Sequence, residues 1–264
     1  MRSISSFLSG LSLGRRAVGL ILPLLLLLGW QYMSTRGASF AYAFSSVSQM
    51  QDALRELITS GDLQLNLAAS LQRALTGLAI GGTFGLLLGI SMASSRLIDT
   101  SVGPLYHILR QVPLMGLVPV FSLWLGNGDT AKLFIVCLSA FFPLVLATYE
   151  SLRQVDSKFL EVGNVLKLSR AQQFRHILLP AALPNIFTGV SFALAMAWLS
   201  TIGSEILFNA GAGLGNLMMN AEMNARMDIL VVVTILIGIV GYLLTFVLYR
   251  ITAYLFRWRK TSSE

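Results

Sequence analysis

The sequence predicts an all-α integral membrane protein with about six transmembrane helices, and three observations carry that reading. The 264 residues are 55% hydrophobic and only 12% charged. Several apolar runs exceed the length of a soluble core helix. Lys and Arg collect in alternate connections, as they do where cytoplasmic loops retain positive charge. Backbone groups in lipid must be bonded internally, so each span reads as a helix. The predicted spans are Val18 to Met33, Ala74 to Ala93, Val112 to Leu125, Ala131 to Tyr149, Ala181 to Ile206 and Ile229 to Tyr249.

The charge bias sets the expected topology. One set of connections holds Arg2, Arg15, Arg16, Arg96, Arg110, Arg153, Lys158, Lys167, Arg170, Arg175, Arg250, Arg257, Arg259 and Lys260, whereas the other keeps only Arg36, Arg55, Arg73, Lys132 and Arg226. Both termini and the Glu150 to Pro180 loop are therefore expected in the cytoplasm. The net charge of +7 is mainly this topology signal, and no basic soluble surface for nucleic acid is seen. The expected organisation is an N-terminal anchor helix and external segment over residues 1–61, a membrane domain over 62–255 with its polar loop at 150–180, and a cytoplasmic tail over 256–264.

In the first span, Arg15 and Arg16 precede a run of leucines, and Ala41-Tyr42-Ala43 has the form of a cleavage site. That site lies about a dozen residues beyond Trp30, too far for a signal peptide, so an uncleaved anchor is expected. In the external segment that follows, a short helix is expected over Val47 to Ile58, before Gly61-Asp62. In the second span Gly77, Gly81, Gly85 and Gly89 recur every four residues. They share one helical face, and three overlapping GxxxG steps let another backbone approach closely. Pro104, Pro113 and Pro119 interrupt the third span and Pro143 the fourth; such breaks either border a translocation pathway or shape packing, and both readings stand. The single Cys137 in the fourth span allows no disulfide within one chain and reads as a small buried residue. After the fifth span, Gly211-Ala212-Gly213-Leu214-Gly215 lacks the Lys-Ser or Lys-Thr of a phosphate loop and reads as a tight or partly re-entrant turn.

A charged loop of about 30 residues between apolar spans needs a purpose. Within Glu150 to Pro180, Phe159, Leu160, Val162, Val165 and Leu166 form an apolar stripe at helical spacing, interleaved with Lys158, Glu161 and Asn164. Ser169 and Gln172 have the form of a capping box opening a second helix, Arg170 to Leu179, which Pro180 is expected to end. The residues alone fit either a surface for a cytoplasmic partner or a helix lying in the membrane interface.

Glu161-Val162-Gly163, followed at fixed distance by Ile177-Leu178-Leu179-Pro180, resembles the EAA motif of binding-protein-dependent ABC importer permeases, whose usual form is E-A-A, three residues, G, nine residues, I-x-L-P. Further similar stretches are Pro180-Ala181-Ala182-Leu183-Pro184 with Ile186, Arg110-Gln111-Val112-Pro113, Trp124-Leu125-Gly126 with Thr130-Ala131-Lys132, and Ala197-Trp198 with Glu205 and Gly213-Leu214-Gly215. Together they resemble the branch that carries sulfonates, taurine, nitrate and related small anions, over roughly Asp62 to Val240. Three departures stand out: Val162 and Gly163 occupy the usual alanine positions, Lys167 occupies the glycine position, and no Leu-Pro-Ser-Pro stretch falls near residue 40, which leaves Ser39 to Ser48 unassigned. Because lysine enters a left-handed turn less cheaply than glycine, the turn is expected to shift toward Leu168 and Ser169.

The resemblance implies a type I ABC importer permease fold in a bacterial inner membrane. It implies a homodimer whose loops dock in grooves of a separate ABC ATPase homodimer, with a substrate-binding protein delivering cargo at the external face. The coupling residues it implies are Phe159, Leu160, Glu161, Val162, Gly163, Leu166, Lys167, Leu168, Ile177, Leu179 and Pro180. Glu161 would anchor the docked helix, and Phe159, Leu160, Val162 and Leu166 would fill the groove. No cofactor is expected on this chain, ATP being used by the partner subunit. An aliphatic sulfonate leads as cargo, with taurine, nitrate, bicarbonate and thiamine-precursor pyrimidines as alternatives.

A sulfonate keeps its charge at any physiological pH, so hydroxyls and amides suit its path. The candidate pathway residues are Arg110, Ser139, Ser191, Ser200 and Glu205, beside Thr188 and Thr201; each hydroxyl also has the simpler role of bonding its own helix backbone. Arg110 fits either an anion attractor or a positive-inside anchor. Glu205 would repel an anion and is expected to pair instead with Arg226 or Lys132. Other classes fit poorly. The two histidines, His107 and His176, lie apart with no HExxH spacing, and no repeated polar filter of a channel is present.

Overall fold

The computed structural model describes residues 12–36, 44–208 and 210–257. The Ala41-Tyr42-Ala43 site, Arg2, and most of the expected tail, residues 258–264, lie outside them, as do the side chains of Arg15 and Arg16. Among the described residues the secondary structure is helical, with no strand. The helices are α1 (Ser12–Ser34), α2 (Val47–Thr59), α3 (Asp62–Ser94), α4 (Arg96–Leu109), α5 (Val118–Leu125), α6 (Asp129–Arg153), α7 (Ser157–Val165), α8 (Arg170–Gln173), α9 (Leu179–Phe208), α10 (Leu214–Met223) and α11 (Met227–Leu255).

Local chemistry sets most of these boundaries. Ser46 and Gln49 close a capping box at the start of α2, so the external helix begins where the sequence places it. Gly61, at φ +82°, turns the chain into α3. Four helices, α3, α6, the continuous run Arg170–Phe208 and α11, are long and apolar enough to cross a membrane; a fifth span arises if α4 and the 114–125 segment count as one. The expected span Val18 to Met33 coincides with α1, of which the described apolar stretch Leu24–Ser34 is too short to cross alone.

α6 is the central helix, packed against α3 on one side and α9 on the other. The glycine face explains the first contact. A Cβ at Gly77 would overlap Val136 and one at Gly81 the Cys137 carbonyl; at Gly85 it would lie 2.8 Å from the Phe141 carbonyl and at Gly89 2.7 Å from that of Val145. Numbers rise together along both helices, so α3 and α6 run parallel. Gly189 of α9 meets Ala147, and Glu205 meets Arg73, so α9 runs antiparallel to both. Two parallel helices cannot be joined by a short turn, and the chain between them must cross back.

That return is made by α4 and α5, and here the structure corrects the expected third span. Val112 to Leu125 is not one helix. α4 and the 114–125 segment meet at 80°, with Pro113 at the break and a 3-10 turn over Leu114–Leu117 before α5. Pro113 has no backbone N–H to donate and restricts Val112, which separates the helices there. Pro104 is accommodated inside α4.

A second correction concerns Pro180, which does not end a helix. α8 passes through a π turn, Phe174–Leu178, directly into α9, and Pro180 and Pro184 lie in the first turns of that helix. The wider π turn, closed by the Leu179 N–H to the Phe174 carbonyl, loosens the helix where proline would strain a regular turn.

Candidate functional site

At one end of the bundle stands the 150–180 loop. Arg153, the last residue of α6, bonds Asp99 of α4 at 2.9 Å and the Tyr149 hydroxyl, fixing the root of the loop. The Asp156 carboxylate accepts the Lys158 N–H and opens α7. The Lys167 N–H donates to the Asn164 carbonyl and the Leu168 N–H to that of Gly163, the paired bonds of a Schellman ending. Lys167 itself takes the left-handed conformation, φ +51°. The expected shift of the turn is therefore incorrect: the two carbonyl bonds hold lysine where glycine is cheaper, at a cost of about 1–2 kcal/mol.

Gly163 faces inward. A Cβ there would lie 2.9 Å from Ile177 Cδ1 and 3.1 Å from Gln173 Cγ. The Gln173 amide also donates to Asn164 Oδ1 and to the Leu168 carbonyl. Gly163 and Ile177 thus hold α7 against the π turn and offer no outward surface there. The outward face carries Phe159, Val162, Val165 and Leu166, with Phe159 54% and Leu166 63% exposed. Glu161 and Lys167 are exposed beside them, Leu160, Leu168 and Leu179 are half-buried, and Pro180 is exposed. Ser169 and Gln172 complete the capping box of α8.

At the opposite end lies a buried ion cluster. Glu205, 0% exposed, accepts from Arg73 and from the Ser70 hydroxyl at 2.8 Å. Arg73 also reaches Asp129 at 2.6 Å and the Ala212 carbonyl at 3.3 Å. Three successive backbone N–H groups of the glycine turn bind this cluster: Gly213 to Asn66, Leu214 to Ser70 and Gly215 to Glu205. A Cβ at Gly215 would lie 2.6 Å from the Ile202 carbonyl, and one at Gly213 would overlap Glu205. Close approach requires these two glycines. The Lys132 ammonium donates to the Ala210 carbonyl.

The expected pairing of Glu205 with Arg226 or Lys132 is corrected accordingly. Its ion-pair partner is Arg73, while Arg226 pairs with Glu56 of α2 and with Asp228. Asn66, Ser70 and Arg73 were missed in the sequence, although polar residues at i, i+4 and i+7 share one face of the otherwise apolar α3. The candidate pathway residues do not form one lined site. Ser139 and Ser191 donate to the Val136 and Phe187 carbonyls of their own helices, Ser200 is buried, Glu205 is enclosed, and Arg110 stands exposed at the break after α4. Thr188 and Thr201 likewise bond their own helices. Between α6 and α9 runs an open furrow of about 370 Å3, lined in part by Glu150, Gln154, Asn185 and Thr188.

Comparison with known proteins defines the class. The model of the family "Binding-protein-dependent transport system inner membrane component" matches residues 81–261. The chain is 32% identical, over 92% of its length and 88% of the relative's, to a putative aliphatic sulfonates transport permease SsuC of Bacillus subtilis. It is 36% identical to that of Escherichia coli over 84% of each chain, and 30% identical to a bicarbonate transport permease CmpB of Synechococcus elongatus over 95% and 93%. Among solved structures, an inward-facing MetNI methionine ABC transporter aligns over 74% of this chain and 95% of that one with 21% identity and a TM-score of 0.56. An amino acid ABC transporter with histidines aligns over 77% and 97% with 17% identity and a TM-score of 0.61.

The chain belongs to the inner-membrane permease family of binding-protein-dependent ABC importers. Its fold is that of type I importer permeases. It is a transport subunit and not an enzyme, ATP hydrolysis in this family residing on a separate subunit.

Proposed function

We propose that this permease imports aliphatic sulfonates and that α7 is the helix through which an ATPase subunit drives it. The carrying observation is the outward face of α7, where Phe159, Val162 and Leu166 stand exposed around Glu161 on a loop whose own packing is already satisfied by Gly163 and Ile177. An apolar cluster of this kind on a polar loop fits a partner's groove. Glu161 is the anchor, and Lys167 and Leu168 hold the turn. A second copy of the chain covers the furrow between α6 and α9, whose Gln154 and Asn185 amides lipid would leave unsolvated. The loop and both termini face the cytoplasm, a binding protein delivers cargo at the opposite end, and the chain itself holds no cofactor.

The sulfonate reading is supported by the sulfonate permeases among its relatives. The bicarbonate relative, similar along nearly the whole chain, supports a second reading as an inorganic-anion permease. Proteoliposomes holding the chain with its ATPase and binding protein decide between them. ATP-dependent uptake of ethanesulfonate, with none of taurine, nitrate or bicarbonate, is expected; uptake of nitrate or bicarbonate alone overturns the sulfonate reading. Glu161→Ala is expected to abolish copurification of the ATPase while leaving membrane insertion intact. Unchanged copurification removes Glu161 as the anchor.

A further inference from the structure

At the end of the bundle away from the loop, α3 and α6 leave a cavity of about 210 Å3 lined by Ala69, Gln72, Arg73, Thr76, Asp129 and Leu133. It is smaller than the about 300–1,000 Å3 of pockets for drug-sized ligands, which suits a small ion. Its chemistry is a buried guanidinium flanked by two neutral polar groups. The Arg73 side chain is only 7% exposed, while Gln72 and Thr76 stand open one turn apart on the same helix.

The two carboxylates on Arg73 are unequal. Glu205 is wholly enclosed and bound by Ser70 and the Gly215 N–H as well as by Arg73, so it cannot leave without exposing several unsatisfied groups. Asp129 is 73% exposed. Only the Asp129 member of this pair is open to solvent, and as the first residue of α6 the freed carboxylate keeps both water and a helix N-terminus beside it. Arg73 and Lys132 balance Glu205 and Asp129 in charge. Release of Asp129 leaves one net positive charge facing the cavity.

We propose that this cavity is an anion subsite of the pathway, in which Arg73 exchanges the Asp129 carboxylate for the sulfonate group of the cargo. The Arg73 Nη2 donor freed by Asp129 takes one sulfonate oxygen, while Nη1 stays on Glu205. The Gln72 amide and the Thr76 hydroxyl donate to the two remaining oxygens. Asp129 is then the competitor that keeps the subsite weak, which lets cargo leave as readily as it enters. The inference rests on the reading of the chain as a small-anion permease.

Binding of radiolabelled ethanesulfonate to the permease–ATPase complex in nanodiscs, without binding protein, tests it. Asp129→Asn is expected to bind more tightly than the unaltered chain, by about fivefold or more, since the competing carboxylate is gone. Asp129→Glu should bind like the unaltered chain. Gln72→Leu, on the open wall where folding is insensitive, should weaken binding, and the uncharged ethyl methyl sulfone should not compete. Equal binding by Asp129→Asn, Gln72→Leu and the unaltered chain overturns the subsite. Uptake by the unaltered complex is measured alongside. Uptake of ethanesulfonate together with equal binding overturns the subsite alone, whereas absence of any anion uptake overturns the transport reading on which it rests.

Discussion

The two ends of the bundle differ in what they leave unsatisfied. At the glycine-turn end, Arg73, Glu205, Ser70 and Asn66 bond one another or the backbone of the turn, so polar groups are completed inside the chain. At the loop end the polar bonds close too, through the Schellman ending and the capping box, yet four apolar side chains of α7 remain in the open. Buried charges are costly unless paired, whereas exposed apolar groups cost little until something covers them. One end is built to hold a shape, and the other leaves an apolar face uncovered. The parallel α3 and α6, locked by their glycine face, join the two ends as a rigid strut.

The most severe way to break this contrast is Glu205→Ala. It leaves Arg73 buried with only the exposed Asp129, and a loss of about 3–5 kcal/mol is expected, read as a lower unfolding midpoint of the solubilised chain without its ATPase. Phe159→Ala should instead leave that midpoint unchanged and weaken ATPase binding by about 2 kcal/mol or more, read as loss of copurification. If Phe159→Ala destabilises the isolated chain, the contrast between the ends is wrong. Gly81→Leu should force α3 from α6 at a cost of about 1–3 kcal/mol or more and reduce accumulation of the protein in membranes.

Smaller effects sharpen the comparison. Lys167→Gly is expected to stabilise the turn by about 1 kcal/mol, measured by slower amide exchange over residues 163–168, since glycine relieves the left-handed strain. The mildest effect concerns pH. The hydrogen bond and charge of Arg226 hold the Glu56 carboxyl below its ordinary 4.5. The pair therefore contributes fully above that value and is lost as pH falls through the lowered one. Amide exchange in α2 should rise on acidification only below the ordinary 4.5, and Glu56→Gln should weaken that dependence.

Much of the fold was legible in the chain because it depends on local pattern. The helix over Val47 to Ile58 was expected before Gly61-Asp62, the spans of α3, α6, α9 and α11 follow from apolar run length, and the motif from Glu161 to Pro180 from spacing alone. The break at Pro113 was half visible: proline marks the place, but whether the chain bends by 80° or merely kinks depends on the need to return between two parallel helices. Pro180 misled for the same reason, since a π turn upstream absorbs what sequence rules read as a stop.

What the sequence by itself determined is therefore the class of the molecule, four of its spans, its glycine face and the loop that marks its family, all set by periodicity and by residues a few positions apart. The tertiary structure alone decided that Glu205 pairs with Arg73, 132 residues away, that Gly163 faces inward toward Ile177, and that Lys167 keeps the glycine's conformation. These depend on which helices meet and in which direction. Pairing across the bundle is fixed by close packing of whole faces, and no local period in the chain encodes it.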